Sequence, residues 1–328
     1  MSEQDAEPVG GDGPVSERAT NAADDLRLDS TYFVAFDMTH SALKEGLAAA
    51  SDLNITQYRM LVKLLSVGEH GLAQTDLGAA LSLKANVVTQ ALNGLEAAGF
   101  ARRSPMGGRD GRIKLVSITD AGVRHIAEAN AAIVERLYAV FPTENELYRS
   151  ILEASIAAGA RIDPPQHGEM TEKHPASRAL VSLETIRKAL EDALRQSTGA
   201  SFNECRVLQR LGEVGVPLRI GDLAQQLQLS AVTVARSADR LVARGWAQRL
   251  ASPSDRKAVY VAATDSGRHI QDVIAATVDR LGREYLWVNL NDEQRWAVSQ
   301  VGHVVIARLR AYEEAERKAA LGLLQPID

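Results

Sequence analysis

The sequence contains one cysteine, Cys205, and no apolar run long enough to cross a membrane. A single cysteine excludes an internal disulfide and is typical of a protein in a reducing compartment. A membrane helix needs about 18 or more consecutive apolar residues, and the first residues lack the basic and then apolar pattern of a signal peptide. We therefore expect a cytoplasmic protein without membrane contact, in which Cys205 is a buried, unreactive thiol.

Motifs for catalysis and for metal binding are also lacking. The sequence has no glycine-rich phosphate loop ending in Lys-Ser or Lys-Thr, no HExxH zinc motif and no CxxC pair. Its seven histidines are scattered along the chain, whereas a zinc site requires three or four ligands that converge in space. We predict no enzymatic activity, no cofactor and no metal site.

Negative charge is concentrated at one end of the chain. The whole sequence carries a net charge of −5, of which residues 1–30 contribute −6, so the remaining residues carry +1. Residues 1–28 are rich in Gly, Ala and acids and predict a disordered acidic tail, interpreted as a solubilising leader rather than an autoinhibitory mimic of DNA. The remaining length favours two domains over one.

One pattern occurs twice in the chain. Residues 75–100 (TDLGAALSLKANVVTQALNGLEAAGF) align with residues 221–246 (GDLAQQLQLSAVTVARSADRLVARGW) at a constant offset of 146. The segments that follow, residues 105–122 and 252–267, align at an offset of 145, and both end in Thr-Asp, a small residue and Gly. This period is too long for a solenoid and indicates a duplicated domain.

Each copy predicts three helices and a β-hairpin. Helices are expected near residues 56–66, 75–81 and 84–98, and near 202–212, 221–227 and 230–244. Gly99 and Gly245 follow the third helix, where a left-handed C-terminal residue is expected. Strands are expected over Ala101–Ser104, Arg112–Ile118, Ala247–Ala251 and Lys257–Ala263. This order is the winged helix-turn-helix arrangement.

Long amphipathic helices flank each copy. One apolar stripe contains Phe33, Phe36, His40, Leu43 and Leu47, and its counterpart contains Leu180, Leu183, Arg187, Leu190 and Leu194. Such stripes form either an assembly interface or ordinary core within one domain. Residues 161–177 hold three prolines and no apolar periodicity, which predicts a linker. The expected units are therefore a tail (1–28), a first unit (29–160), the linker (161–177) and a second unit (178–320).

Two stretches, LSAVTVARSADRLVARGW (229–246) and SPSDRKAVYVAATDSG (252–267), resemble the recognition helix and wing of the MarR family of bacterial transcription regulators. The resemblance covers two tandem units and implies a mainly α-helical fold with small β-hairpin wings, whose long helices form a pseudo-dimer interface. The first copy departs from the pattern where Lys84 and Asn86 replace Ser230 and Val232. The second copy reads Asp-Arg-Lys where the family has Asp-x-Arg, which leaves open whether Arg256 or Lys257 enters the groove.

The residues expected to contact DNA lie on the recognition helices and the wings. A recognition helix needs polar groups on its exposed N-terminal face and apolar groups behind them. The candidates on the helices are Lys84, Asn86, Thr89 and Gln90, and Ser230, Thr233, Arg236 and Ser237; those on the wings are Arg109, Arg112, Lys114, Arg256 and Lys257. Residues 101–114 carry a net charge of +4 and residues 247–260 carry +2, which favours contact with phosphates over a merely solvated surface.

The resemblance also implies a small phenolic or anionic effector, bound between a winged unit and the long helices. Phe36, His40 and Tyr58 are the candidate residues, although core packing explains them equally well. The predicted function is a ligand-responsive repressor that binds double-stranded DNA, with one chain acting as a pseudo-dimer on an asymmetric operator. Further association into a homodimer is compatible with the sequence. The alternative function is a protein-interaction or sensor module in which one or both units no longer bind DNA.

Overall fold

The computed structural model of the protein describes residues 29–105, 114–162, 173–251, 259–305 and 307. The described residues form two consecutive sets of elements in the same order, each with six α-helices and three short strands. The first set contains α1 (Ser30–Ala50), α2 (Ile55–Val67), β1 (Leu72–Ala73), α3 (Gln74–Ala80), α4 (Ala85–Ala97), β2 (Ala101–Pro105), β3 (Lys114–Ile118), α5 (Asp120–Val140) and α6 (Glu146–Gly159).

The second set repeats this order. It contains α7 (Pro175–Thr198), α8 (Phe202–Val214), β4 (Leu218–Arg219), α9 (Ile220–Leu227), α10 (Ala231–Ala243), β5 (Ala247–Ala251), β6 (Val259–Ala263), α11 (Asp265–Leu281) and α12 (residues 292–305). Each helix αn of the first half therefore corresponds to αn+6 of the second. The predicted class, mainly α-helical with small β wings beside long helices, is confirmed.

The second helix of each half begins at the same kind of signal. Asn54 and Ser201, which lie 147 residues apart, accept hydrogen bonds from the backbone N–H groups of Gln57 (3.0 Å) and Glu204 (3.4 Å). The side chains of Gln57 and Glu204 accept in return from the backbone N–H of the cap residue. Such a capping box satisfies N–H groups that have no partner inside the helix, which explains why the predicted starts, residues 56 and 202, agree with the structure.

Each half holds a three-stranded antiparallel sheet, with strand orders β1-β3-β2 and β4-β6-β5. The central strands bury Val116 and Val261 completely. The two predicted hairpins are confirmed, since β2 pairs with β3 and β5 with β6. The strands β1 and β4 were not predicted, because two residues are too few to show an alternation of apolar and polar side chains.

The repeated ending Thr-Asp-small-Gly joins each wing to the helix that follows it. Thr119 Oγ1 accepts from the N–H of Gly122 (3.1 Å) and donates to the carbonyl of Gly99 (2.7 Å). Thr264 makes the same two bonds, with the same lengths, to Gly267 and Gly245. The threonine thus caps the new helix and ties it to the glycine that follows α4 in the first half and α10 in the second.

Glycine is required at this junction because the backbones approach closely. A Cβ at Gly122 would overlap the carbonyl oxygen of Phe100, and a Cβ at Gly267 would overlap that of Trp246. Gly99 and Gly245 have φ values of +73° and +74°, the left-handed conformation expected at these positions.

The long helices pack both within and between the halves. Helix α1 lies along α5 of its own half and also contacts α7 and α8 of the other half, while α7 contacts α5, α6 and α11. Phe33 of α1 meets Phe202 of α8 edge to face, with ring centroids 5.6 Å apart. Both meanings that the sequence left open for the apolar stripes are therefore correct, since each stripe contributes to core and to interface.

Helix α7 begins at Pro175, so the last three residues of the predicted linker 161–177 belong to a helix. Proline is favoured in the first turn of a helix, because an N–H group at that position has no acceptor within the helix and its absence costs no hydrogen bond. The remainder of the linker, over residues 163–172, and the predicted tail, residues 1–28, lie outside the described residues. No helix among the described residues is long and apolar enough to span a membrane.

Candidate nucleic-acid interface

Helices α4 and α10 turn one face inward and the opposite face to solvent. The buried side includes Val88, Leu92 and Leu95 in α4 and Val234, Ala238 and Leu241 in α10. Because a helix completes a turn every 3.6 residues, the residues on the opposite side of each helix face outward. The exposed members of the predicted set are Lys84, Asn86, Thr89 and Gln90 at α4 and Ser230 and Arg236 at α10, while Thr233 is half-buried.

Some of these polar side chains already form hydrogen bonds within their own half of the protein. Ser230 caps α10, since its Oγ accepts from the N–H of Thr233 (3.1 Å) and lies 2.8 Å from the Thr233 hydroxyl. Lys84 occupies the same cap position at α4 but forms no side-chain cap there. Thr89 accepts a hydrogen bond from the side chain of Gln74 (2.9 Å). The hydroxyl groups of Ser230 and Thr89 can therefore contact a base only by exchanging these bonds.

Arg236 and Gln90 occupy equivalent positions, 146 residues apart, and both are exposed. Within the described part of the chain, neither side chain has a hydrogen bond or an ion pair. Both can therefore reach outward without breaking a contact. In the major groove an arginine pairs with guanine and a glutamine with adenine.

Val232 is an exposed residue of α10 that the sequence prediction did not include. Its side chain is 60% exposed, and its equivalent in α4 is the exposed Asn86. An apolar side chain on this face can contact the methyl group of thymine, the apolar feature of the major groove. The sequence signal was the occurrence of valine where the first copy has a polar residue.

The expectation that Ser237 faces outward is wrong. Its residue is only 5% exposed, and Ala91 at the equivalent position of α4 is 6% exposed. Both positions lie next to the inward residues of their helices, and a serine is small enough to occupy a site that accepts alanine. Ser237 is therefore not part of the outward face of α10.

The wings place fewer cations in solvent than their net charges indicate. Arg103 of β2 forms an ion pair with Glu96 and donates to Asn93 Oδ1 (2.9 Å), and its side chain is 14% exposed. Arg249, its equivalent in β5, donates to Asp239 at 2.5 Å. Both arginines thus attach a wing to the recognition helix of the same unit.

Of the predicted wing residues, Lys114 begins β3 and is exposed. Arg109, Arg112, Arg256 and Lys257 lie outside the described residues.

The contact between the two halves contains a reciprocal pair of contacts between a carboxylate and a basic side chain. Asp37 of α1 accepts from Arg187 of α7, and Glu184 of α7 lies 2.6 Å from Nε2 of His40 in α1. Asp37 contacts Arg187, which lies three residues after Glu184. Glu184 in turn contacts His40, which lies three residues after Asp37. Reciprocity of this kind is the signature of a two-fold relationship between two surfaces.

A second arginine extends the contact of Asp37 to the helix-turn-helix. Arg206 of α8 is 1% exposed, donates to Asp37 Oδ2 (3.0 Å) and donates to the carbonyl of Leu227 (2.6 Å) at the end of α9. Burial alone would raise the pKa of the Asp37 carboxyl, but the hydrogen bond from Arg187 and the charges of both arginines hold it below its usual range. Arg59, the equivalent of Arg206 in α2, donates to Thr185 of α7 (3.0 Å).

The three residues predicted to bind an effector do not share one site. Phe36 lines an apolar cavity between the halves. His40 is engaged with Glu184. Tyr58 is completely buried and donates to Ser177 Oγ (2.6 Å), and burial raises the pKa of its phenol.

Cys205 is buried, as predicted, and its burial raises the pKa of the thiol to about 11, so the reactive thiolate is scarce near neutral pH. In the described part of the chain, no three His, Cys, Asp or Glu side chains are placed to hold a metal ion.

Comparison with known proteins gives one family match. Residues 201–259, which span α8 to the start of β6, match the sequence model of the MarR family. No curated protein gives a match to the chain.

Several solved structures are similar to part of the chain. A mutant MarR from E. coli in complex with operator DNA is 23% identical over 34% of this chain and 81% of its own, with a TM-score of 0.30. BpsR of Bordetella bronchiseptica, whose DNA binding is regulated by 6-hydroxynicotinic acid, is 21% identical over 35% and 84%, with a TM-score of 0.32. CouR from Rhodococcus jostii RHA1, bound to p-coumaroyl-CoA, is 19% identical over 45% and 94%, with a TM-score of 0.30.

Proposed function

We propose that the protein is a cytoplasmic transcription regulator without enzymatic activity, which binds double-stranded DNA and acts as a ligand-responsive repressor. Both winged units take part, as residues 29–160 and as the residues from α7 to about 320. The match of residues 201–259 to the MarR family supports this function for the second unit. The equivalent order of elements in residues 55–118 extends the proposal to the first.

The observation that carries the proposal is that two exposed recognition helices are joined by a reciprocal interface. Lys84, Asn86 and Gln90 are exposed at α4, and Val232 and Arg236 at α10. The contacts of Asp37 and Glu184 join α1 and α7, the first helices of the two units. Two-fold related reading helices fit an operator with two half-sites about one helical turn, roughly 34 Å, apart. One chain thus acts as a pseudo-dimer.

The two half-sites of this operator differ. Gln90 favours adenine where Arg236 favours guanine, and Asn86 favours adenine where Val232 favours the methyl group of thymine. A homodimer would place the same residue on both half-sites. We therefore expect a footprint without perfect palindromic symmetry, and a perfect palindrome would contradict this part of the proposal.

Binding to a random duplex at increasing salt concentration tests the function itself. A protein that neutralises several phosphates loses affinity steeply, because bound cations are released from the DNA. Flat or absent binding would instead favour a protein-interaction module. Light scattering tests the assembly: a mass near 35.4 kDa supports the pseudo-dimer, and twice that mass would contradict it.

A further inference from the structure

We infer that the apolar cavity between the two halves is a binding site for a small, uncharged, apolar molecule of about the size of one aromatic ring. The cavity has a volume of about 130 Å³. Five helices surround it: α1 and α6 of the first half, and α7, α11 and α12 of the second. Neither helices α2–α4 and α8–α10 nor the wing strands contribute a residue to its lining as the structure describes it, so the site lies away from both recognition helices.

The wall of the cavity is almost entirely hydrocarbon. Side chains from all five helices contribute to it, among them Phe36, Leu152, Leu183, Ile186, Val278 and Val301. Ala179 and Gly159 form a thinner part of the wall, where α7 and α6 approach each other. Binding of a ligand here is favourable because it removes apolar surface from water. The apolar wall does not fix the orientation of a polar substituent on the ligand.

Three of the four polar side chains in the described lining, those of Asp29, Tyr32 and Ser155, form hydrogen bonds within the protein, and Thr39 is the exception. The Tyr32 hydroxyl donates to the carbonyl of Val298, and Ser155 Oγ donates to the carbonyls of Ile151 (2.7 Å) and Ala297 (3.1 Å). Asp29 uses its carboxylate to cap α1 through the N–H of Thr31 (2.9 Å). Tyr32 and Ser155 therefore have little capacity left to anchor a polar ligand, and the hydroxyl of Thr39 alone offers too few partners for an ordered water, which needs two to four.

Charge at the cavity excludes an anion. Asp29 is the one charged residue among those that the structure places in the lining, and its carboxylate would repel a negative ligand. Tyr32 stays neutral, because burial raises the pKa of its phenol. The anionic effector expected from the sequence therefore does not fit this cavity, while the ring of a phenolic one does.

The size of the cavity sets the size of the ligand. An engineered cavity of roughly 150 Å³ in another protein, lined by leucine, isoleucine and phenylalanine, stays dry and binds benzene. Water is held in a cavity of this kind only where two to four polar partners are available. A ring of six carbons with one short substituent matches both the volume and the wall.

Toluene and benzoate form a matched pair of probes, since they share a ring and differ in charge. We expect isothermal titration of the full chain, without DNA, to show saturable binding of toluene and none of benzoate. Ala179→Leu fills the cavity and should weaken toluene binding about tenfold or more by direct overlap. Gln196→Leu adds the same side chain to an exposed position of the same helix and should leave binding unchanged.

A second variant keeps the test decisive if Ala179→Leu does not fold. Leu183→Ala enlarges the cavity and should shift the preference from toluene towards naphthalene. Absence of toluene binding to the wild type, or equal binding by all variants, would overturn the inference. The role of this site as the effector site rests on the proposed function, but the titration does not. A protein that binds toluene and no DNA would remove the proposed function and leave the site.

Discussion

Asp37 and Glu184 occupy equivalent positions in α1 and α7, and each binds a basic side chain of the other helix. The partner of Asp37 is Arg187, and that of Glu184 is His40, which stands in α1 where Arg187 stands in α7. The arrangement is reciprocal but chemically unequal. Asp37 contacts a guanidinium, which is always charged and has five N–H donors, whereas Glu184 contacts an imidazole, which has two ring nitrogens.

Asp37→Asn should destabilise the protein more than Glu184→Gln does. The first change leaves the buried Arg206 without its carboxylate and should lower the free energy of unfolding by about 3 kcal/mol. The second leaves a glutamine side chain that can still form a hydrogen bond with His40, and should cost about 1 kcal/mol. Urea unfolding of both variants measures the difference. Equal losses would show that Arg206 does not depend on Asp37.

Acidification should destabilise the wild type through His125. This residue stacks on Phe100 at 4.3 Å, and its Nε2 lies 2.7 Å from Ser51 Oγ. Burial lowers the pKa of His125 in spite of the opposing charges of Glu128 and Asp52. Below the ordinary histidine pKa of about 6.5, the unfolded chain therefore binds a proton more readily than the folded chain does. The free energy of unfolding consequently decreases as the pH is lowered.

The matched control for His125 comes from the chain itself, which has Ile270 at the equivalent position. His125→Ile should remove the part of the stability loss between about pH 7 and about pH 5 that the histidine causes. The measurement is urea unfolding at a series of pH values. Parallel profiles for the wild type and the variant would rule out His125 as the cause.

Gly122→Ala should destabilise the junction between the first wing and α5. The added Cβ would meet the backbone carbonyl of Phe100, which cannot move without disturbing the bond from Thr119 N to the same oxygen (3.0 Å). We expect a loss of about 2–4 kcal/mol. Gly221→Ala in α9 is the control, since nothing lies within 4 Å of its Cβ position, and it should stabilise by about 0.5–1 kcal/mol. Thermal unfolding of both variants decides, and similar effects would contradict the steric argument.

Arg236→Ala should relax the preference for one base pair by about 1–3 kcal/mol and leave binding to random DNA nearly unchanged. Arg112→Ala should instead weaken binding to all sequences and lower the salt slope by about one unit, as loss of a phosphate contact does. Titration of each variant against specific and random duplexes separates the two roles. Equal losses on both duplexes for Arg236→Ala would remove it from the residues that read bases.

Replacing thymine by uracil in the half-site of the second unit tests Val232. Loss of the methyl group should weaken wild-type binding by about 1 kcal/mol at one position, the value of one buried carbon. Val232→Ala should weaken binding to the thymine duplex and make it insensitive to the replacement. The same replacement in the other half-site, opposite Asn86, is the control. A uniform response at all thymines would exclude a specific contact of Val232.

The sequence predicted the local structure well, because local signals determine it. Capping boxes at Asn54 and Ser201 and left-handed glycines at Gly99 and Gly245 place helix ends within a few residues. Ser237 was predicted on the wrong face because a small polar residue fits either a buried or an exposed helical position. Its equivalent, Ala91, carried the information that the position is buried.

The contacts between the halves could not be predicted in the same way. Asp37 and Arg187 are 150 residues apart, and nothing in either helix specifies which face meets the other. Arg103 contributes to the net charge of +4 counted for residues 101–114, although Glu96, seven residues earlier, binds it. Pairs of this kind depend on how elements are placed in space, and their residues carry no distinctive local pattern.

Both sides of the reciprocal interface lie on one polypeptide, which changes how this contact responds to dilution and to mutation. In a homodimer a single codon would encode both carboxylates, so any substitution would alter both ends of the contact. Here Asp37 and Glu184 are encoded separately, so one end can change while the other is kept. The tether also makes the meeting of the halves intramolecular, at an effective concentration that does not depend on how much protein the cell contains.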